Sequence, residues 1–110
     1  MNITRHEQNG IIVIALGGRV DTAGAIELER ALQAQHEAGH YRLVLDMRDL
    51  TYLNSAGLRI LADFLTVSRD NNGDLHLASL NDKIRRVFEI IGFDNFFDIF
   101  DDSSAAIEGF

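Results

Sequence analysis

Two segments near the N-terminus, the largely polar Ile3 to Glu7 and the apolar Ile11 to Leu16, flank the tripeptide Gln8-Asn9-Gly10. Asn-Gly is a strong hairpin signal because both residues tolerate positive φ values. We therefore predict that the chain begins with an antiparallel pair of strands. Gly17-Gly18 is expected to end the second strand.

The rest of the chain alternates between the helix period and the strand period. Predicted helices begin at Asp21 or Thr22, after Asn54-Ser55, at Asn81 or Asp82 and at Asp101-Asp102-Ser103, and the first three end at Gly39, at Asn71-Asn72-Gly73 and at Gly92. Strands are predicted over Tyr41 to Asp46 and Asp74 to Ala78, with a short aromatic strand or turn at Phe96 to Phe100. This order predicts an α/β fold with a mixed sheet of four to five strands and helices packed mainly on one face.

Length and composition favour one compact domain over residues 1–110, since 46% of the residues are hydrophobic. The longest apolar stretch, Ile11 to Leu16, is far shorter than the roughly 20 residues of a membrane helix, and Met1 to Gly10 lacks a signal-peptide pattern. We therefore expect a cytoplasmic protein without a membrane span. The absence of cysteine excludes disulfides and thiol catalysis.

The formal net charge of −7 repels phosphate backbones, and no segment concentrates lysine or arginine. Direct binding to nucleic acid is therefore not expected. The same acidity would help the domain approach a basic protein surface.

Catalytic and metal-binding patterns are not evident. The histidines His6, His36, His40 and His76 are scattered, and no Ser-His-Asp order, P-loop or dinucleotide fingerprint accompanies them. Three aspartates, Asp21, Asp46 and Asp49, would suit magnesium if strand ends brought them together, but capping and turn formation is the favoured interpretation. We predict no catalytic residue, no cofactor and no metal site.

The strongest functional candidate is Ser55, which follows an apolar strand expected to end at Asp46 and stands where a helix begins. Free backbone amides and the helix dipole would stabilise a phosphate there. The alternative is that Ser55 only caps the helix. Gly57 costs about 1 kcal/mol in a helix relative to alanine, so its position suggests that another backbone, such as that of a docking kinase, approaches closely. Arg59 lies four residues after Ser55, within reach of a phosphoserine.

The run from Leu43 to Leu61 resembles the signature of the STAS family, the anti-sigma factor antagonists. In that family a strand ending in Leu-Asp is followed by an Asp-Ser-Ser-Gly-Leu-like stretch, which here reads Asn54-Ser55-Ala56-Gly57-Leu58. The resemblance continues upstream through Gly17-Gly18-Arg19-Val20-Asp21 and downstream through Ile90 to Phe97. It covers essentially the whole chain and implies a single STAS domain.

The resemblance implies a switch in which the unphosphorylated protein binds an anti-sigma factor and frees a sigma factor. The partner would be a serine kinase with a GHKL-type ATP site, phosphorylation of Ser55 would end binding, and a PP2C-like phosphatase would restore it. The expected partner contacts are Asp21, Thr22, Asn54, Ala56, Gly57, Leu58 and Arg59. The chain would thus be a substrate and ligand, not an enzyme.

Three positions depart from the family pattern. Asn54 and Ala56 stand where many relatives have aspartate and a second serine, and Arg59 stands where a small residue is more common. Ala56 leaves Ser55 as the expected acceptor, with Thr51 the only other hydroxyl that we expect nearby.

Two other functions remain open at this point. STAS proteins also serve as regulatory subunits of ABC-type lipid transporters. Leu43-Val44-Leu45-Asp46 also suggests a phosphoaspartate receiver, although Gly17-Gly18 and the lone Lys83 do not supply its acidic pair and lysine.

Overall fold

In the computed structural model, which describes residues Met1–Phe110, one five-stranded mixed sheet carries four helices. The strands are β1 (Asn2–Gln8), β2 (Ile11–Val20), β3 (Arg42–Leu53), β4 (Asp74–Ala78) and β5 (Ile99–Phe100). The helices are α1 (Thr22–Glu37), α2 (Ser55–Asp70), α3 (Asp82–Ile91) and α4 (Ser103–Glu108), and a 3-10 turn spans Phe93–Asn95. The expected α/β fold with a mixed sheet is confirmed.

The strands lie in the order β1-β2-β3-β4-β5. β1 and β2 form the predicted antiparallel hairpin, with Asn9 and Gly10 at positive φ values of 55° and 77° in its turn. The later neighbours are all parallel, so each connection from β2 onward crosses over through a helix or through α3 and the 3-10 turn. The N-termini of α1, α2 and α3 therefore follow the carboxyl ends of adjacent strands.

Two faces of the sheet are covered unequally. Alternate residues of β2, β3 and β4 pack with the inner sides of α1, α2 and α3 in one cluster of 22 buried residues. The opposite face packs against α4 through a cluster of six buried residues that includes Val13, Val44 and Ile107. Three of the four helices thus share one face, as expected.

Two strand ends were predicted too early. β2 continues through Gly17-Gly18 to Val20, and β3 continues beyond Asp46 to Leu53 instead of entering a polar turn. The two extensions pair with each other, and shifts of register between Ala15 and Gly17 and between Gly18 and Arg19 mark bulges in their ladder. Because a bulge breaks the strict alternation of faces, polar residues there read as a turn.

The predicted helix caps agree closely with the structure. Asp21, Asn54, Asn81 and Asp102 are the N-caps, and each side chain accepts a hydrogen bond from the backbone three residues later. Gly92 ends α3 at a φ of 78°, which favours glycine. No helix is both long and apolar enough to cross a membrane.

Candidate functional site

The starts of α1 and α2 lie side by side at the carboxyl edge of the sheet. Val20 pairs with Leu53 at the ends of the parallel strands β2 and β3. One residue further, the Asn54 amide donates to the Val20 carbonyl at 3.0 Å. This bond holds the first residues of α2 against the segment that leads into α1.

Asn54, and not Ser55, caps α2. The Asn54 Oδ1 accepts a hydrogen bond from the Gly57 amide at 2.9 Å, and Ser55 is the first residue of the helix. The Ser55 side chain is exposed, and its hydroxyl makes no hydrogen bond within the chain. The interpretation of Ser55 as an N-cap is therefore wrong, and its hydroxyl is free to react.

The backbone around Ser55 also has unused donors. Because Asn54 accepts only the Gly57 amide, the amides of Ser55 and Ala56 make no hydrogen bond within the chain. Both amides stand at the positive end of the dipole of the 16-residue helix α2. Hydrogen bonding and electrostatics therefore both favour an anion at this position.

Arg59 is exposed one helical turn after Ser55 and forms no ion pair within the chain. Its guanidinium is thus available to a phosphate on Ser55 or to a partner protein. Contact between Arg59 and a phosphoserine stays a prediction.

Gly57 and Leu58 are buried and do not form part of the exposed surface. A Cβ at Gly57 would lie 2.6 Å from both Leu53 Cδ1 and Val20 Cγ1, so this chain's own side chains explain the glycine. The glycine therefore does not require an approaching partner backbone, and a partner contact at Gly57 stays a prediction. Leu58, only 7% exposed, packs in the core, and direct contact between Leu58 and a partner stays a prediction.

The start of α1 repeats the arrangement at the start of α2. Asp21 Oδ1 accepts a hydrogen bond from the Gly24 amide at 2.9 Å, and Thr22 is exposed as the first helical residue. The sequence Asp21-Thr22-Ala23-Gly24 parallels Asn54-Ser55-Ala56-Gly57. This repeat was readable in the sequence but was missed, because Thr22 was considered only as a cap or contact.

We call the Ser55 surface the polar and small residues at these two helix starts, which are Asp21, Thr22, Asn54, Ser55, Ala56 and Arg59. Five of them are exposed and Asn54 is half-buried. The structure thus brings together six of the eight residues singled out from the sequence. Gly57 and Leu58 are buried in the core beneath that surface.

The other candidate residues have different roles. The Thr51 hydroxyl donates to the Gly18 carbonyl at 3.0 Å, which leaves it less available than the Ser55 hydroxyl. Asp21 caps α1, so the capping interpretation is confirmed for that aspartate, whereas Asp46 Oδ1 accepts from the Arg48 amide at 3.1 Å within β3 and lies in no turn. Asp49 is exposed.

The buried His36 lies at the far end of α1 from the Ser55 surface. Its Nε2 is 2.9 Å from the Ser68 hydroxyl of α2, and its ring packs between Tyr41 and Phe64. Burial lowers the pKa of His36 below its ordinary value. Because α1 ends at Glu37, His36 and His40 do not share a helix face as a metal-binding pair would.

Comparison with known proteins agrees with this architecture. Residues 2–106 match the family model of the STAS domain. The chain is 37% identical to BtrV of Bordetella bronchiseptica, assigned by name to the anti-sigma factor antagonists, over all of this chain and 95% of that protein.

Solved structures of low sequence identity share the fold. An anti-sigma factor antagonist from Mycobacterium paratuberculosis superposes with a TM-score of 0.89 at 24% identity, covering 98% of this chain and 92% of the other. The Bacillus cell fate determinant SpoIIAA in its phosphorylated form superposes with a TM-score of 0.76 at 15% identity, covering 97% of both chains.

Proposed function

Because the chain belongs to the STAS domain family, we propose that it is an anti-sigma factor antagonist whose Ser55 surface binds an anti-sigma factor. In this proposal phosphorylation of Ser55 ends binding. The observation that carries it is the exposed, unbonded Ser55 hydroxyl beside two free amides at the start of α2. The name of BtrV and the phosphorylated state of SpoIIAA support the two halves of the proposal.

The binding step relies on a surface that costs little to desolvate. Apart from Asp21 and Arg59, the Ser55 surface consists of neutral side chains. A partner that covers Ser55 must replace the water around a hydroxyl and two amides, which is inexpensive when it supplies hydrogen bonds. The overall charge of −7 would favour approach to a basic partner surface.

The release step follows from the charge of phosphate. A phosphoserine adds about −1.5 to −2 charge at neutral pH, and the partner would have to bury that charge against the face that fitted a hydroxyl. Burying an unpaired charge costs several kcal/mol, far more than a surface contact contributes. At the same time the free amides of Ser55 and Ala56 stabilise the phosphate in the unbound protein. Both effects shift the equilibrium toward release.

We propose that the anti-sigma factor itself phosphorylates Ser55, as a serine kinase with a GHKL-type ATP site. A PP2C-like phosphatase would then restore the free hydroxyl. The chain contributes a substrate serine and a docking surface and no catalytic group. An exposed serine at the first position of a helix is accessible to both enzymes.

Arg59 sets how complete the switch is. If its guanidinium pairs with the phosphate, it lowers the charge that the partner meets and moderates release. If it instead contacts the partner, a phosphate one turn away withdraws it from that contact. An Arg59→Gln variant separates these cases, because the first predicts a sharper switch and the second predicts weaker binding of the unmodified protein.

The test is binding to a purified candidate anti-sigma factor kinase encoded beside this gene. Wild type and Ser55→Ala should bind with similar affinity, and Ser55→Asp should bind at least about thirtyfold more weakly, the ratio expected for about 2 kcal/mol. Ser104→Asp is the matched control, since Ser104 is exposed in the first turn of α4 on the opposite face of the sheet. Equal binding by all four proteins would refute the switch.

A further inference from the structure

A second polar cluster lies at the other end of the sheet from Ser55. Asp74 begins β4, His76 is two residues further along that strand, and Asp98 directly precedes β5. Asp74 pairs in register with Arg42 at the start of β3, whereas Ser55 follows the end of β3. The cluster is therefore separate from the Ser55 surface.

The ring of His76 is buried and fixed in orientation. It is only 2% exposed, and Phe110 stacks on it with ring centroids 3.8 Å apart. Its Nδ1 lies 2.8 Å from the Ala106 carbonyl oxygen. Because a carbonyl oxygen can only accept, Nδ1 carries a proton and donates it. The other nitrogen, Nε2, makes no hydrogen bond and faces Asp74 Oδ2 at 3.5 Å and Asp98 Oδ2 at 3.9 Å.

The facing carboxylate oxygens have no other partner. Asp74 Oδ1 accepts from Arg69 Nε at 3.1 Å and from the Leu75 amide at 2.8 Å, which leaves Oδ2 free. The Asp98 carboxylate makes no hydrogen bond within the chain, and its side chain is 61% exposed. One nitrogen and two oxygens thus converge without partners.

This convergence calls for a cation between the three atoms. With the proton on Nδ1, the lone pair of a neutral imidazole would point from Nε2 at two anionic oxygens, which is repulsive. Either a second proton on the ring or a metal ion removes the repulsion.

The distances fit a metal ion. The three ligand atoms lie within 4.8 Å of one another. Zinc bonds of about 2.0–2.2 Å place two ligand atoms about 3.3–3.5 Å apart in a tetrahedral site, which matches the 3.5 Å between His76 Nε2 and Asp74 Oδ2. Rotation of the exposed Asp98 side chain shortens its 3.9 Å separation. The Nδ1 bond to the Ala106 carbonyl is the support that metal-binding histidines usually have.

We propose that Asp74, His76 and Asp98 bind a divalent transition-metal ion of the Zn²⁺ class. One imidazole with two carboxylates suits such an ion better than Mg²⁺ or Ca²⁺, which prefer oxygen ligands alone. The three residues line a cleft of about 350 Å³, which gives water access to the remaining coordination positions. Arg42 also lines this cleft, and its positive charge disfavours a bound cation. Arg69 instead donates to Oδ1 of Asp74, the oxygen that does not face His76.

The site would have a structural role. It joins β4 to the segment before β5 and, through His76, to the Ala106 carbonyl of α4 and to Phe110. A bound ion would therefore hold α4 against the sheet. The proposal differs from the sequence analysis, which predicted no metal site, because His76 and Asp98 lie 22 positions apart in the sequence.

The experiment is titration of the untagged protein with Zn²⁺, followed by calorimetry and by the thermal midpoint. Wild type should bind one ion per chain, and Asp98→Asn should weaken Zn²⁺ affinity at least about tenfold. Asp98 is the preferred target because its exposed side chain has no other role, so the variant should fold. Zn²⁺ should also slow amide hydrogen exchange in α4 of wild type but not of Asp98→Asn.

Two control variants remove similar groups elsewhere. Asp101→Asn changes an exposed aspartate on the other side of β5, and His6→Gln removes an exposed histidine of β1, so both should bind Zn²⁺ as wild type does. Equal binding by wild type and Asp98→Asn would overturn the site. Absence of saturable Zn²⁺ binding would overturn it too, and would assign the Nε2 position to a proton. Mg²⁺ raising the thermal midpoint as much as Zn²⁺ would overturn the assigned class of ion.

Discussion

α1 and α2 begin with the same local design on adjacent strands. In each, an Asx side chain caps the amide three residues later, a hydroxyl residue occupies the first helical position, and a buried glycine follows two residues after it. The pairs are Asp21 and Asn54, Thr22 and Ser55, and Gly24 and Gly57. Geometry alone would therefore allow a phosphate at either hydroxyl.

Charge distinguishes the two helix starts. A phosphate on Thr22 would lie beside the Asp21 carboxylate, and four residues later the helix offers only the exposed Ile26. A phosphate on Ser55 would lie beside the neutral amide of Asn54, and four residues later the helix offers Arg59. The Asp21 carboxylate already places a negative charge at the start of α1, whereas the start of α2 has none until Ser55 is phosphorylated. The Asn54 that departs from the family pattern thus makes the phosphorylated state easier to accommodate.

The largest effect should be on phosphorylation itself. With the candidate kinase and ATP, Ser55→Ala should abolish phosphate incorporation, and Thr22→Ala should leave it intact, because only Ser55 combines a free hydroxyl with a surrounding that tolerates a dianion. Intact-protein mass and peptide mapping measure this. Phosphate on Thr22 or Thr51 in the wild-type protein would contradict the distinction.

The two buried glycines should differ in stability when replaced by alanine. A Cβ at Gly24 would lie 2.3 Å from the backbone oxygen of Arg19, which cannot move away easily, whereas at Gly57 it would meet the ends of two side chains. Gly24→Ala should therefore lower the free energy of unfolding by about 3 kcal/mol and Gly57→Ala by about 1 kcal/mol. Urea denaturation measures both. The control Ala56→Ser, an exposed change in the same turn, should stay within about 0.5 kcal/mol, and a larger loss at Gly57 than at Gly24 would contradict the argument.

The parts of the fold set by local chemistry were predictable from the sequence. Asn81, Asp102 and Gly92 end or begin helices through hydrogen bonds and φ values that involve neighbouring residues only. Ser55 was found for the same reason, since the helix start around it is a local pattern.

What depends on distant contacts was not predictable. The extension of β2 past Gly17-Gly18 exists because bulges let it pair with the extension of β3, and neither strand shows this alone. The reason for Gly57 is likewise distant, because Val20 occupies the space of its missing Cβ. A glycine required by core packing and one required by a partner look the same in a sequence.

Exchanging the charges of the two N-cap residues, Asn54 and Asp21, tests the charge difference between the helix starts with a smaller expected effect. Asn54→Asp should raise the free energy of unfolding of the unmodified protein by about 0.5 kcal/mol, because a carboxylate favours a helix N-terminus. In the phosphorylated protein the same variant should be destabilising, since two anions then compete for the same amides. Thermal unfolding of both forms gives the comparison.

Asp21→Asn is the matched control at the other helix start. It should cost the unmodified protein about as much as Asn54→Asp adds, and its effect should not change sign when Ser55 is phosphorylated. A sign change in both variants, or in neither, would show that the two helix starts do not differ in the way proposed.

The smallest effect concerns the opposite ends of the same two helices, where His36 bonds to Ser68 and no anion is expected. Burial lowers the pKa of His36 below 6.5, so as the pH falls through 6.5 the unfolded chain takes up a proton before the folded one does. The contribution of His36 to the free energy of unfolding is therefore complete above pH 6.5 and is lost progressively below it. His36→Gln keeps a hydrogen-bonding group without titrating, so its urea midpoint should fall less between pH 8 and pH 5, while His6→Gln, at an exposed site, should follow wild type. If His36→Gln instead follows wild type, the pH dependence arises from other titratable groups. The C-terminal ends of α1 and α2 then differ from their N-terminal ends in packing alone.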